Sequence, residues 1–405
     1  MNSGFTKAEP TVAVVAEYNP FHNGHFYQIE KIKEMFPGAA VVSIMSGSLV
    51  QRGDISIFSK YDRAEIAARN GVDAVFELPS VYSCAPANVF ASCAVRIMQK
   101  LSGVDYICFG SECGDLELLD FAAEKTMGDD FSSKLSEAAK ARKNTSYPNN
   151  VHDLFRELHG ESKASVLLGS NNILAIEYLK AIKKSGAKIA PVTIKRIGAG
   201  FNSEEPVKNM ASAAYIRRFI RENKDMSPLK KLMPGSAYEF AAGLVGSGKF
   251  ADIENLAPAI ISHLSRLGAA DLAEIAEVGG GMEHRIKKAL DGCFDYGSLL
   301  KKLQAKHASP SAVRRMVSNA FFGITKKMRE QPPDFTAVLA IGQKGANFLS
   351  RIKKSAKIEI ATKPADMKNN GIFDHNCFID NTCKLALLEK SSEINEIRQK
   401  PRLSW

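Results

Sequence analysis

The sequence predicts an α/β protein, with a doubly wound parallel sheet followed by a mainly helical, basic C-terminal region. Three observations predict it. Short β-branched, apolar runs recur along the first half of the chain, and helical patterns fall between them. The texture then turns helical near Met226–Gly235, where Ser-Pro and Met-Pro-Gly interrupt the chain. Alternating strands and helices imply βαβ units, because parallel neighbours need a long crossover rather than a hairpin.

The elements follow in order. Thr11–Ala16 is a strand built on Val12, Val14 and Val15, and a helical pattern spans Gly24–Met35. Ala40–Met45 is a buried-strand run ahead of a helix at Lys60–Arg69. Val72–Phe76, a helix at Asn88–Lys100 and Tyr106–Phe109 extend the alternation. A more polar helical stretch covers Asp115–Gly160, followed by a helix at Asn172–Lys184, a strand at Ile189–Ile194 and a helix at Ala211–Arg221. Beyond 235 the spacing stays helical, broken at Gly279-Gly280-Gly281. Phe335–Ile341, Lys344–Lys354 and Lys357–Thr362 read as strand, helix, strand. A chain of 405 residues exceeds what one core usually serves, so the expected division is 1–230 and 231–405.

Composition narrows the class. With 45% hydrophobic and 24% charged residues, the chain is ordinary globular protein rather than disordered or fibrous. No apolar run approaches the roughly 18 residues of a membrane span. Met1–Pro10 lacks the charged-then-apolar pattern of a secretory leader. Seven cysteines without paired spacing suit a reducing compartment, so the expected location is the cytoplasm. The formal charge of +10 is concentrated: residues 301–405 hold 20 Lys+Arg against 9 Asp+Glu, and the remainder holds 34 against 35. A neutral body with a basic final quarter implies a polyanion partner. Lys326, Lys327, Arg329, Lys344, Arg351, Lys353, Lys354 and Lys357 are the candidate RNA contacts. Few aromatics interleave with them, which favours backbone phosphates over stacked bases. A solvated, lysine-rich helical surface is the competing reading.

The densest chemistry follows the first strand, at Glu17-Tyr18-Asn19-Pro20-Phe21-His22-Asn23-Gly24-His25. A strand that turns at once into a helix aims unpaired N–H groups and the helix dipole at an anion. Pro20 disfavours helix at Asn19 and sets the turn. His22 and His25, three apart, can address one oxyanion, while Gly24 leaves the backbone open to a phosphate. No third His or Cys lies nearby, so metal binding is the weaker reading, and plain helix capping is the bland one.

These residues form an H-x-G-H element, and the sequence resembles the nucleotidyltransferase superfamily with a Rossmann-like fold. The likeness narrows further. Val15–Gln28, Met45-Ser46-Gly47 with Gln51-Arg52-Gly53, Glu77-Leu78-Pro79 and Phe109-Gly110-Ser111-Glu112 match in order. Ser170-Asn171-Asn172-Ile173-Leu174, Lys195-Arg196 and Thr362-Lys363-Pro364-Ala365-Asp366 continue the match. Over most of its length the chain resembles the tRNA(Met) cytidine acetate ligase family. The resemblance implies an ATP-dependent ligase that activates acetate as acetyl-adenylate and acetylates N4 of the wobble cytidine of elongator methionine tRNA. It implies an ATP-binding domain over 1–230, a tRNA-binding end within 231–405, and Mg²⁺ accompanying ATP. His22 and His25 are the implied catalytic pair. The implied ATP site is Val15, Ala16, Glu17, Tyr18, Asn19, Pro20, Phe21, His22, Asn23, Gly24, His25, Phe26, Tyr27, Gln28, Gly110, Asn171 and Arg196.

Several of these make independent physical sense. Gly110 ends a strand, where ligands of open sheets sit, and its bare backbone leaves room for an adenosine. Asn171 opens a helix and is either its cap or a reader of the nucleoside. Arg196 at a strand end suits bidentate phosphate binding. Relatives carry a hydroxyl-rich phosphate motif where this chain has Ala211-Ser212-Ala213-Ala214-Tyr215-Ile216-Arg217, which leaves Ser212 and Arg217 as the phosphate candidates. Ser170 stands where proline is common in relatives. Gly279-Gly280-Gly281 lacks a preceding strand and is no phosphate loop, and His375, Cys377 and Cys383 match no zinc spacing. Asp54, Lys60 and Asp62 either position a substrate or form a solvated helix face. Two rival functions share the motif: a metabolic adenylyl- or cytidylyltransferase, which has no need of a basic tail, and a non-catalytic RNA-binding protein, which has no need of intact histidines.

Overall fold

The computed structural model describes residues 9–142, 147–197, 206–223, 225–304, 308–367, 370–389 and 396–404; most of Met1–Pro10, read above as leader-free, lies outside them. The frame is one sheet, with strands β1 (Thr11–Ala16), β2 (Ala40–Ser46), β3 (Ala74–Leu78), β4 (Tyr106–Ser111), β5 (Ala190–Lys195), β6 (Phe335–Gly342), β7 (Glu359–Ala361) and β8 (Arg402–Ser404). Their order is β5-β4-β1-β2-β3-β6-β7, with β8 paired to β6 off that row. Strands β1 to β5 are mutually parallel, in registers such as Val12↔Val41, Val42↔Ala74, Val12↔Tyr106 and Tyr106↔Ala190. β2 and β3 are buried along almost their whole length, because helices cover both faces.

The helices of the first half are α1 (Asn23–Met35), α2 (Lys60–Arg69), α3 (Ala87–Leu101), α4 (Leu116–Met127), α5 (Asp129–Ala141), α6 (Tyr147–His159), α7 (Ser170–Ser185) and α8 (Ala213–Asn223). Local chemistry fixes their ends. Ser59 caps α2 by accepting the Asp62 amide, Asp115 caps α4 by accepting that of Leu118, and Gly186 ends α7 in a left-handed conformation. In α3, Phe90, Ala94, Ile97, Met98 and Leu101 form the apolar stripe that packs inward. The second half supplies α9 (Gly235–Gly246), α10 (Ala257–Arg266), α11 (Met282–Ala289), α12 (Tyr296–Leu303), α13 (Pro310–Phe322), α14 (Lys326–Glu330), α15 (Gln343–Ile352) and α16 (Gly371–Lys384).

Two expectations need correction. The third strand runs over 74–78 rather than 72–76, because Glu77 is a strand residue whose buried charge is met by Lys60. The division at 230 does not follow the sheet. β6 from the last quarter pairs antiparallel with β3, Ala74 opposite Ile341 and Phe76 opposite Val338, so the end of the chain completes the core.

A buried ionic cluster reinforces that junction. Lys60 Nζ lies 2.9 Å from Glu77, 2.6 Å from Asp380 and 2.9 Å from Glu396. Asn376 adds its amide to Glu77 at 2.9 Å and accepts the Ser80 N–H at 2.8 Å. The solvated face considered for Asp54, Lys60 and Asp62 is therefore absent at Lys60, and Asp62 is bonded to Ser59. The seven cysteines are unpaired, and no described helix is long and apolar enough to cross a membrane.

Candidate active site

The order of the strands locates the site. From β1 the sheet continues to β2 and β3 on one side and to β4 and β5 on the other, which makes the carboxyl ends of β1 and β4 a topological switch point. A cavity of about 1140 Å³ opens there. The turn leaving β1 is fixed on all sides. Tyr18 has a left-handed φ of +44°, and Asn19–Pro20 is a cis peptide. Asn19 Oδ1 accepts the Ile57 N–H at 2.8 Å, and Arg217 Nη1 donates to the Asn19 carbonyl at 2.6 Å. Fully buried Arg63 donates to the carbonyls of Glu17, Ser46 and Gly47, tying the ends of β1 and β2 together.

The histidines sit where this turn becomes α1. His22 is the extended N-cap; its Nδ1 accepts the Gly24 N–H at 3.0 Å, and its own N–H donates to His25 Nδ1 at 3.2 Å. The two rings stack with centroids 3.8 Å apart. Because both Nδ1 atoms accept backbone N–H groups, the neutral rings carry their protons on Nε2, the atom left for a ligand. Burial, then the Arg196 and Arg217 charges, lowers the His22 pKa to about 3. Burial, followed by His22 and Arg196, lowers that of His25 as well. Capping and oxyanion binding are thus not alternatives: one nitrogen of each ring caps, and the other is a neutral donor. Gly24 has a different reason from the one expected. A Cβ there would sit 2.9 Å from His22 Cε1 and 3.1 Å from Nδ1, so the space belongs to the histidine ring rather than to a phosphate.

The cavity is lined by Val15, Ala16, Glu17, Tyr18, Asn19, His22, His25 and Gln28 of the motif, together with Gly110, Asn171, Arg196 and Ser212. His25 and Gln28, three apart, share one face of α1, and the N-cap His22 stands at its start beside them. The remaining motif residues point elsewhere. Phe21 is in the core, and Asn23 donates to the carbonyls of Asn209 and Lys231 at 2.8 and 2.9 Å. Phe26 is 37% exposed, and Tyr27 packs under the Lys31 ammonium. Pro20, Gly24 and Arg217 likewise support the turn without lining the cavity.

The outlying residues also differ in detail from expectation. A Cβ on Gly110 would meet the Arg196 stem at 3.2 Å, so this glycine first makes room for an arginine. Asn171 is not the helix cap: α7 begins after Gly169, and the Glu112 carboxylate takes the N–H groups of Asn171 and Asn172 at 3.1 and 2.7 Å. Glu112 also holds the Asn171 side-chain amide at 2.6 Å. Ser212 caps α8 by accepting the Tyr215 N–H at 3.1 Å. Further lining residues received no role in the sequence reading: Gln51 and Arg52 from a hairpin after β2, Ser309 at the cap of α13, and Ala312, Arg315 and Met316 from α13 itself.

The basic candidates do not converge on this cavity. Arg329 is bonded internally to Glu277, the Cys84 carbonyl and Asn319 at 3.0, 2.7 and 3.1 Å, which removes it from the surface set. Lys326 donates to the Ala273 carbonyl. Lys344 donates to the Gly38 carbonyl and Arg351 to Thr11 Oγ1, at the entry of β2 and β1, the strand end opposite His22. Lys327, Lys353, Lys354 and Lys357 are exposed.

Residues 10–400 match the family model for HIGH Nucleotidyl Transferase. A tRNA(Met) cytidine acetate ligase of Acetivibrio thermocellus is 34% identical over 370 residues, 88% of either chain. One from Clostridium botulinum is 33% identical over 394 residues, 95% of this chain and 96% of its own. Among solved structures, Thermotoga maritima TmcAL bound with alpha-thio ATP superposes with a TM-score of 0.88 at 27% identity, covering 97% of this chain and 99% of that one. Its apo form superposes with a TM-score of 0.90. With the histidine pair at the switch point and relatives of this identity along nearly the whole chain, the protein belongs to the tRNA(Met) cytidine acetate ligase family of HIGH nucleotidyltransferases.

Proposed function

We propose that the protein is an ATP-dependent ligase that acetylates N4 of the wobble cytidine in elongator methionine tRNA, in the cytoplasm. The observation that carries this reading is the neutral histidine pair, both Nδ1 atoms spent on the backbone and both rings on the wall of a cavity at the sheet's switch point. ATP lies with its nucleoside toward Gly110, Asn171 and Arg196, and Arg196 and Ser212 meet the triphosphate. An acetate oxygen attacks the α-phosphorus; the new O–P bond forms as the bond to pyrophosphate breaks, and pyrophosphate departs with the electron pair. His22 and His25 donate to the oxygens on which charge builds, each donor contributing on the order of 3 kcal/mol. The cytidine N4 then attacks the acetyl carbonyl, loses a proton, and AMP leaves.

Mg²⁺ enters with the nucleotide. Its charge would offset that building on the triphosphate oxygens; among the described residues no group of three His, Cys, Asp or Glu side chains is placed to hold a metal. Lys327, Lys353, Lys354 and Lys357 contact tRNA phosphates, and binding weakens steeply with salt.

ATP–pyrophosphate exchange with and without acetate tests the first step. Mass spectrometry of elongator methionine tRNA incubated with ATP and labelled acetate tests the second. Acetate-dependent exchange and one added acetyl group on the anticodon cytidine are the expected results. Exchange driven instead by a small phosphorylated substrate, with no tRNA product, would move the protein to the metabolic nucleotidyltransferases.

A further inference from the structure

Glu112 directly follows β4 and has no part in the function described so far. Its carboxylate is spent on the start of α7. Oε1 accepts the Asn171 N–H at 3.1 Å and the Asn171 side-chain amide at 2.6 Å, and Oε2 accepts the Asn172 N–H at 2.7 Å. Asn172 returns the grip: its Oδ1 accepts the N–H groups of Glu112 and Cys113 at 2.8 and 3.2 Å. Gly169 leaves room for the carboxylate, because a Cβ there would collide with Oε2. A helix start ordinarily offers its free N–H groups and the positive end of its dipole to a bound anion. In α7 the chain's own carboxylate already fills that place.

A phosphate gains little against Asn171. The N–H groups there are taken, and the charge bonded to them is negative, with Arg196 as its cationic neighbour. The wall is apolar instead: Phe109 from the end of β4 and Ile173, Leu174 and Tyr178 from α7 line the cavity, the Phe109 and Tyr178 rings 5.7 Å apart. Such a surface suits the faces of a purine, with a few polar groups to read its edge. Asn171, which lines the same cavity, is that polar group. A carboxylate only accepts hydrogen bonds, so Glu112 fixes which way the Asn171 amide points. Its nitrogen faces Glu112, and its carbonyl oxygen, without a partner among the described residues, is left for a ligand. A fixed acceptor separates the 6-amino group of adenine, a donor, from a 6-oxo group, an acceptor. A ribose hydroxyl both donates and accepts, and would need no such fixing.

We propose that Glu112 is the positioning residue that sets the nucleotide preference, holding Asn171 as an acceptor for the exocyclic amine of adenine; this rests on the ATP-binding reading above. Calorimetric titration of the full chain with nucleotides tests it without acetate or tRNA. Wild-type protein should bind inosine triphosphate, which carries the 6-oxo group, roughly 10- to 100-fold more weakly than ATP. Purine riboside triphosphate, which lacks a 6-substituent, should bind roughly 3- to 10-fold more weakly. In Asn171→Ala, and in Glu112→Ala with Asn171 intact, the ATP and inosine triphosphate affinities should come within about threefold of each other. Glu112→Asp is one methylene too short to reach the α7 N–H groups and the Asn171 amide together. It should give an intermediate ratio, and it carries the test if the alanine variant does not fold. A carboxylate that merely capped α7 would weaken every nucleotide alike in these variants; a ratio that stays at its wild-type value overturns the assignment. So does wild-type protein that binds the two nucleotides within about twofold of each other. An Asn171→Ala variant that loses only the discrimination against 2′-deoxy-ATP overturns it too, because the partner is then a ribose hydroxyl. Failure of the ligase reading shows separately, as pyrophosphate exchange indifferent to acetate in protein that still ranks the nucleotides. ATP that does not bind at all overturns both.

Discussion

Two buried polar regions lie close together in this sheet, at the carboxyl ends of β1 and of β3, and they are built on opposite principles. At the first, His22, His25, Arg196 and Arg217 crowd together with no carboxylate bonded to either imidazole, and burial and the arginine charges push the His22 pKa down to about 3. At the second, burial opposes the Lys60 charge, but Asp380, Glu396 and Glu77 outweigh it and raise its pKa well above the usual value. Burial, aided by the neighbouring Glu396 and Glu77 charges, lifts Asp380 to about 7 despite Lys60. One region supplies its own counter-charges and holds the fold together: Lys60 faces three carboxylates, of which Asp380 is pushed toward its neutral form. The other presents neutral imidazole donors beside arginines on the wall of a cavity, a pattern completed by an anion from outside. Burial of polar groups alone does not mark a functional site; donors left facing a cavity do.

The sharpest way to break the closed region is Lys60→Met. It leaves three carboxylates facing one another without their cation and should destabilise the fold by about 3–5 kcal/mol, measured by urea denaturation. The open region should respond in rate rather than stability. His22→Asn keeps a good helix N-cap and removes the Nε2 donor, so kcat for exchange should drop roughly 100- to 1000-fold with little change in melting temperature. A variant that melts early, or that keeps its rate, would merge the two regions into one kind. The pH dependence separates them by sign. Between pH 3 and 6.5 the unfolded chain protonates His22 and the native protein does not, so this group makes stability fall as pH drops. Asp380 does the reverse: from its ordinary 3.8 up to about 7 the native state holds the extra proton, so its contribution is lost as pH rises. Asp380→Asn should therefore steepen the loss of stability on acidification, and His22→Asn should flatten it, in denaturation series from pH 4 to 8. Gly24→Ala is the mildest case. Its Cβ displaces the His22 ring by a fraction of an ångström, for roughly a tenfold loss in exchange rate.

What the sequence disclosed follows the range of the interactions. The turn, the histidine pair and α1 are set by residues within one helical turn of one another, and they stand where the motif puts them. Gln51 and Arg52 stood in the resemblance without a role, and their meeting with α13 was missed because the contacts that build it join residues such as Arg52 and Arg314, 262 positions apart, and no local spacing announces such a partnership. β3 was placed two residues early because a glutamate usually ends a buried run; Glu77 is tolerated by Lys60, which belongs to another element. Counting charges placed Arg329 with the surface lysines, since composition does not reveal that a guanidinium is already bonded to Glu277, Asn319 and a carbonyl.

The antiparallel seat of β6 beside β3 also orders events in time. Thr336 donates to the Glu77 carbonyl from 259 residues further along the chain. At a typical 5–20 residues per second, a ribosome takes roughly 10–50 s to supply that partner. Throughout that interval β3 presents an open edge, the surface most prone to wrong pairings. A nascent chain stopped anywhere before the final quarter is therefore a sticky fragment rather than a free-standing ATP-binding unit, and the capacity to activate the acid emerges only with the segment that carries the basic surface.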